Sequence, residues 1–425
     1  MSALFKPLDW THDTNLYEVN IRQYTKEGTF AAFAKEMPRL KEMGVEVLWF
    51  MPITPISVLK RQGTLGSYYA CSDYTSTNPE FGSVADFREL VRLAHGLGLK
   101  VIIDWVANHT GCDHWWTQQH PEYYIRDAHG NFYDRHGWHD VIDLNYYNQH
   151  LRFYMIEAMK FWVTECDIDG FRCDMAHLVP LDFWRTARTM LDGIKPLFWL
   201  AETETIVYHE AFDASYTWTW MHQTEKFAKG SVGLTHLLNT LQDYKRNFPP
   251  DALRVYFTAN HDENSWNGTE YEKYGAAAQA LAVFSCTWDG LPLIYSGQEM
   301  PNYKRLKFFD KDTIDWTGRY ALHDFYKALL KLRKTNPALR AADETVVTYK
   351  IKTSAENQVF SYLRKKGDRE VLVVLNLSPA IIMHFEFADD RLAGEYKNIF
   401  NGQLINVKPG SPLILNPWDY QVLER

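Results

Sequence analysis

The chain of 425 residues has little cysteine, no excess of positive charge and no long apolar run, and each absence excludes a class of protein. Its five cysteines (Cys71, Cys112, Cys166, Cys173, Cys286) are scattered, odd in number and without CxxC spacing. Neither a disulfide framework nor a structural zinc site is therefore expected. A net charge of −8 argues against nucleic acid or an anionic membrane as partner. No apolar stretch is long enough to span a bilayer. There is no internal repeat or low-complexity tract, and the start Met1-Ser-Ala-Leu-Phe-Lys-Pro7 does not read as a leader. The expectation is a cytoplasmic protein if the chain is complete, and a periplasmic or secreted one if a leader was trimmed. What is abundant is aromatic: 15% of residues, with 15 Trp and 25 Tyr. On an acidic chain, aromatics beyond those a core needs suit a neutral, polyhydroxylated ligand whose sugar rings stack on them.

The length predicts two or three domains. Strand-like and helix-like patterns alternate through most of it. Runs at Tyr17–Thr25, Val45–Pro52, Lys100–His109, Ile168–Asp174, Leu197–Glu204, Phe212–Trp220, Arg254–Glu263 and Leu291–Gln298 read as strands. Helical spacing fills Thr29–Met43, Asn148–Cys166, Leu181–Gly193, Thr235–Asn247, Tyr271–Trp288 and Ala321–Thr335, and Ser83 with Asp86 forms a capping-box signature for one more. Eight β–α units predict a closed parallel barrel. Residues 110–147 interrupt it with a loop-rich segment full of His, Trp, Asp and Gly. From about 345 onward, short alternating runs at Thr345–Lys352, Asn357–Lys365, Glu370–Leu377, Ile381–Phe387 and Leu413–Val422 predict a small antiparallel β domain.

Chemistry enters at the strand ends. In Asp169-Gly-Phe-Arg-Cys-Asp-Met-Ala176, Arg172 and Asp174 are two residues apart and would share one face of an extended chain. The guanidinium would hold the carboxylate ionised, a state suited to a nucleophile. Taken alone, such a pair is most simply a structural ion pair. Three further strand patterns, however, also end in ionisable residues: Asp104-Trp-Val-Ala-Asn-His109, Ala201-Glu-Thr-Glu204 and Asn260-His-Asp-Glu263. In a parallel barrel these ends converge on one face. Converging carboxylates without a Cys/His metal pattern suggest acid/base chemistry at an acetal, one carboxylate as nucleophile or base and another as acid. Trp105, Trp115, Trp116, Trp138, Trp218 and Trp266 fall near those ends, and about half of them are expected to face a ligand.

These motifs, in this order, resemble the four conserved regions of the α-amylase family, glycoside hydrolase family 13, along essentially the whole chain. The resemblance implies a (β/α)8 TIM barrel (1–109 and 148–344), a short domain B after the third strand (110–147) and a C-terminal antiparallel β-sandwich (345–425). It implies Asp174 as nucleophile, Glu202 as acid/base and Asp262 as transition-state stabiliser. Arg172 would keep Asp174 ionised, His109 and His261 would bind the sugar, Asp104 would support the pocket floor, and Tyr69 would stack on the sugar. The implied activity is retaining cleavage of α-1,4-glucosidic bonds in starch-like α-glucans or maltooligosaccharides, without an organic cofactor.

The sequence also departs from the family pattern. His177 and Leu178 stand where starch-cleaving members carry Lys-His, which leaves the aglycone-side contacts open, with His177 the candidate there. Met175 follows the nucleophile at a position that helps separate α-1,4 from α-1,6 specificity. Asn108 and Asp143 match side chains that bind the family's structural calcium, but a hard cation wants six to eight oxygens and these supply two side chains. An α-glucosidase, a neopullulanase-type enzyme or a transglycosylase on the same fold are the alternatives. A non-catalytic carbohydrate-binding relative is disfavoured by the presence of all three carboxylates. Oligomeric state is not legible.

Overall fold

In the computed structural model, which describes residues 5–410 and 412–425, eight parallel strands close into a barrel. They are β1 (Leu16–Val19), β2 (Val47–Phe50), β3 (Lys100–Trp105), β4 (Gly170–Cys173), β5 (Phe198–Ala201), β6 (Ala214–Tyr216), β7 (Leu253–Tyr256) and β8 (Leu291–Tyr295). Each pairs with its successor, and β8 closes on β1 with Leu16 opposite Leu293. The reading made from residues 1–7 falls partly outside the described residues. Among these, no helix is long and apolar enough to cross a membrane.

The strands are buried on both faces, which is why they read as nearly continuous apolar runs. Leu16, Trp49, Ile102, Leu200, Tyr216, Val255 and Leu293 fill the barrel interior, while the alternate residues pack outward against the helices. Gly170 is the tightest point of this wall. A Cβ there would lie 2.1 Å from the Phe198 carbonyl oxygen, so only glycine lets β4 approach β5 in this register.

Local signals explain most boundaries. Ser83 and Asp86 cap Val84–Gly96 reciprocally, as expected. The helix expected over Thr29–Met43 is two, Phe30–Ala34 and Met37–Met43, because Pro38 cannot donate within a continuous helix and sits in the first turn of the second. The run at Tyr271–Trp288 likewise divides into Glu270–Tyr274 and Ala278–Thr287 around Gly275, whose φ is +54°. Barrel strands are shorter than the runs that announced them. β6 holds only three residues, and Trp218 opens a helix, Trp218–Ala228, that the aromatic run concealed.

After β3, His109–Gly111 pairs antiparallel with Val141–Asp143, tying down the excursion between them. The C-terminal domain has a six-stranded antiparallel sheet and a two-stranded sheet, whose inner faces share Leu363, Leu372, Val374, Phe385, Leu415 and Leu423. Two of its strands, Gly394–Asn398 and Leu404–Val407, were not anticipated. Each is short and weakly patterned: the first buries Tyr396 and the polar Asn398, and the second buries Val407 but exposes Leu404. The run at Leu413–Val422 resolves into Pro412–Leu415 and Tyr420–Glu424.

Candidate active site

The barrel ladder delivers four of the ionisable groups directly. Asp104 on β3 lies opposite Arg172 on β4. Asp174, one residue past β4, donates its N–H to the Trp105 carbonyl at 3.0 Å, and Glu202, one past β5, donates to the Cys173 carbonyl at 3.0 Å. The parallel register therefore fixes where both carboxylates begin. Asp262 arrives differently. β7 ends at Tyr256, so the strand expected to run to Glu263 is instead a strand and a loop. There the Asn260 side-chain oxygen accepts from the Glu263 N–H at 2.8 Å, starting a helical turn.

Arg172 is the hub. It is fully buried, and its Nη1 donates to Asp104 Oδ1 at 2.9 Å and to Asp174 Oδ1 at 3.0 Å. Nη2 lies 2.9 Å from Glu202 Oε2, and Nε donates to the Tyr216 hydroxyl at 3.1 Å. Around it, Tyr69 donates its hydroxyl proton to Asp104 Oδ2 at 3.0 Å and lies 2.7 Å from His261 Nε2. The other face of that network closes on Glu18, whose Oε1 is 2.5 Å from His261 Nδ1. Glu18 was not anticipated as a site residue. Its signal was a glutamate at the centre of the otherwise apolar Leu16-Tyr-Glu-Val19.

Burial and neighbours set the charges. Burial, the Glu202 charge and Asp104 push Asp174 well above the usual carboxylate range against the pull of Arg172. Burial would also raise Glu202, but Arg172 and the Met175 N–H, which donates to Oε2 at 2.9 Å, hold it below its ordinary value. The two carboxylates thus share one guanidinium and titrate as a pair, with Asp174 raised and Glu202 lowered. Burial raises Asp104 to about 6 although Arg172 and His261 oppose it, and it raises Asp262 despite His261. For His261, burial acts downward but Asp262 and Glu18 outweigh it and push it up to about 9, so the ring is a cation at neutral pH. Burial lowers His109 to about 4, which keeps that ring neutral.

A cavity of about 420 Å³ opens over Asp174, Glu202 and Asp262, walled by Tyr69, His109, Trp138, Trp266 and Phe308. A second depression continues past Glu202 and Asp262 to His177, Trp218 and His222. Of the six tryptophans near the strand ends, Trp138, Trp266 and Trp218 line these openings. Trp105 and Trp116 are core, and Trp115 is exposed elsewhere. Phe308 and Phe309, on the segment after β8, were not singled out because no polar motif surrounds them.

This constellation is the geometric counterpart of the sequence resemblance, and the comparisons decide the family. The α-amylase catalytic-domain model matches residues 12–128 and 123–316, and the α-amylase C-terminal all-β-domain model matches 349–414. The chain belongs to the α-amylase family. It is 27% identical to the α-amylase MalA of Haloarcula japonica over 93% of this chain and 61% of that protein. It is 26% identical to an α-1,4-glucan:maltose-1-phosphate maltosyltransferase of Rhodospirillum rubrum over 85% of this chain and 57% of that protein. It therefore spans about three-fifths of the length of these relatives. The crystal structure of a noncanonic maltogenic α-amylase, AmyB of Thermotoga neapolitana, superimposes with a TM-score of 0.89 at 31% identity, covering 97% of this chain and 98% of that one.

The residues that the resemblance assigns to calcium do not form a calcium cage by themselves. Asp143 is fully buried, and its Oδ2 is held by the Arg135 Nε at 2.6 Å, a cation already in place. Asn108 is buried beside His109, its Nδ2 being 3.3 Å from the His109 Nδ1. Two side chains, one of them neutralised by a guanidinium, fall well short of the six to eight oxygens calcium takes.

Proposed function

We propose that the chain is a retaining glycoside hydrolase that cleaves α-1,4-glucosidic bonds in maltooligosaccharides or starch-like α-glucans. The observation that carries this reading is the convergence of Asp174, Glu202 and Asp262 on one aromatic-walled cavity, with Arg172 touching the first two. The Asp174 oxygen attacks the anomeric carbon while Glu202 gives its proton to the departing glycosidic oxygen, leaving a covalent glycosyl-enzyme. Glu202 then takes a proton from water, which attacks the same carbon and frees Asp174. Asp262 and the cationic His261 bind sugar hydroxyls, and Asp262 stabilises the oxocarbenium-like charge. The first step requires Asp174 ionised and Glu202 protonated. Arg172, already 3.0 Å from Asp174, compensates the charge that appears there. The two carboxylates and one water supply every proton and nucleophile required, so no organic cofactor is invoked.

A second reading is transglycosylation, favoured by Trp218 and His222, which stack at 5.9 Å in the depression beyond Glu202 and offer an acceptor sugar a platform. The products from maltoheptaose separate the two. Mixed short maltooligosaccharides support hydrolysis, and products longer than the substrate support transfer. Parallel digests of amylose, pullulan, isomaltose and a cyclodextrin define the linkage preference left open by Met175 and His177. No release of sugar from any of them would remove the proposal.

A further inference from the structure

The segment that walls the cavity carries a second cluster that the reaction does not use. Asp134, His136 and Asp143 place one donor atom each within 4.8 Å of one another. Two of these groups are incompletely satisfied. Asp134 Oδ2 accepts from the Trp138 N–H at 2.5 Å, yet its Oδ1 is buried without a partner. Asp143 Oδ2 accepts from Arg135, yet its Oδ1 is also buried without a partner, on a residue with no solvent exposure. Arg135 pairs with Asp143 alone, Asp134 has no ion-pair partner among the described residues, and a buried orphaned carboxylate oxygen costs free energy that a cation would recover.

We propose that Asp134, His136 and Asp143 bind a zinc-type divalent ion, with water as fourth ligand. The donor set decides the class. Two carboxylate oxygens and one imidazole nitrogen suit a borderline transition ion, whereas calcium and magnesium favour all-oxygen shells. It uses no thiolate, which is why cysteine spacing gave no hint of it. Tetrahedral zinc needs donors about 3.4 Å apart, so the half-exposed Asp134 and exposed His136 close inward onto Asp143, which the β-hairpin holds opposite His109. The same segment carries Trp138, whose ring lies 4.9 Å from His136 and 5.3 Å from His109. The ion would therefore pin an aromatic wall of the substrate cavity without touching the reacting atoms.

The test is made in a His150→Ala background, because His120, Glu122 and His150 form another exposed cluster able to hold zinc. The chelated protein is titrated with Zn²⁺ by calorimetry and melted with equimolar Zn²⁺ or Ca²⁺. One equivalent of Zn²⁺ with a raised Tm is expected, and no shift with Ca²⁺. His136→Ala and Asp134→Asn, both at sites open to solvent, should each weaken zinc binding by about tenfold or more. Absence of zinc binding would overturn the proposal. So would zinc binding unchanged in His136→Ala, or a Ca²⁺ shift that survives His136→Ala, which would locate the ion at Asn108 and Asp143 instead.

Discussion

Replacing Arg172 with methionine removes the one cation that three buried carboxylates share. Asp104, Asp174 and Glu202 each have an oxygen 2.9 to 3.0 Å from its guanidinium nitrogens. At an effective dielectric of about 20, charges about 4 Å apart attract by about 4 kcal/mol. Losing that attraction is large even after the lost desolvation cost of the arginine is set against it. Breaking a buried pair of this kind costs about 3–5 kcal/mol. The sign with pH follows from the carboxylates. Asp174 already has a raised pKa, and without Arg172 it rises further. A carboxylate whose folded pKa exceeds its unfolded value weakens the fold as pH rises from the unfolded value through the folded one. The Tm deficit of Arg172→Met should therefore be small near pH 4 and large near pH 8. The same rise moves the acid limb of kcat/KM upward, so the loss of activity is greatest on the acid side and shrinks as pH rises past the new limb. The assay is kcat/KM on maltotriose across pH, with a melt at each pH, and Arg172→Lys as a partial rescue. An acid limb that stays in place, or a Tm deficit that does not grow between pH 4 and pH 8, would refute the shared-cation argument.

Three more outcomes are expected. Asp174→Asn and Glu202→Gln should each abolish detectable turnover of maltooligosaccharides while melting within a few degrees of the parent; wild-type-like rates in either would remove the roles given to them. Glu18→Gln removes one of the two carboxylates that raise His261, so the alkaline limb of kcat/KM, set near about 9 by that ring, should move toward neutrality. The stabilisation from the charged ring is complete below the ordinary histidine value of about 6.5 and is lost as pH rises through about 9, so the variant's stability deficit should shrink in alkali; an unmoved limb counts against this assignment. Gly170→Ala drives a methyl into the Phe198 carbonyl and should cost on the order of 3 kcal/mol or more, read by denaturant unfolding. A near-neutral result would mean that β4 and β5 can part.

The barrel was legible because parallel strands buried on both faces leave uninterrupted apolar runs, and because Asp104, Arg172 and Glu202 sit within or next to those runs. Register then needs no further information to bring them together. The loop residues were less legible. His261 and Asp262 lie five and six residues beyond the end of β7, where the Asn260 side chain rather than strand periodicity fixes the path. Glu18 was overlooked because a single buried glutamate in a four-residue strand has no motif around it. Only the proximity of His261, 243 residues away in sequence, gives it a purpose. The Arg135–Asp143 pair is invisible in the same way: spacing can suggest a calcium ligand but cannot show that a guanidinium already occupies one of its oxygens.

The central claim is a double displacement through Asp174, and its most direct measurement is the anomeric form of the first product. Proton NMR of maltotriose or maltoheptaose digests, recorded before mutarotation, should show newly formed reducing ends as the α-anomer. Initial appearance of the β-anomer would mean single displacement and would contradict the assignment of Asp174 as nucleophile.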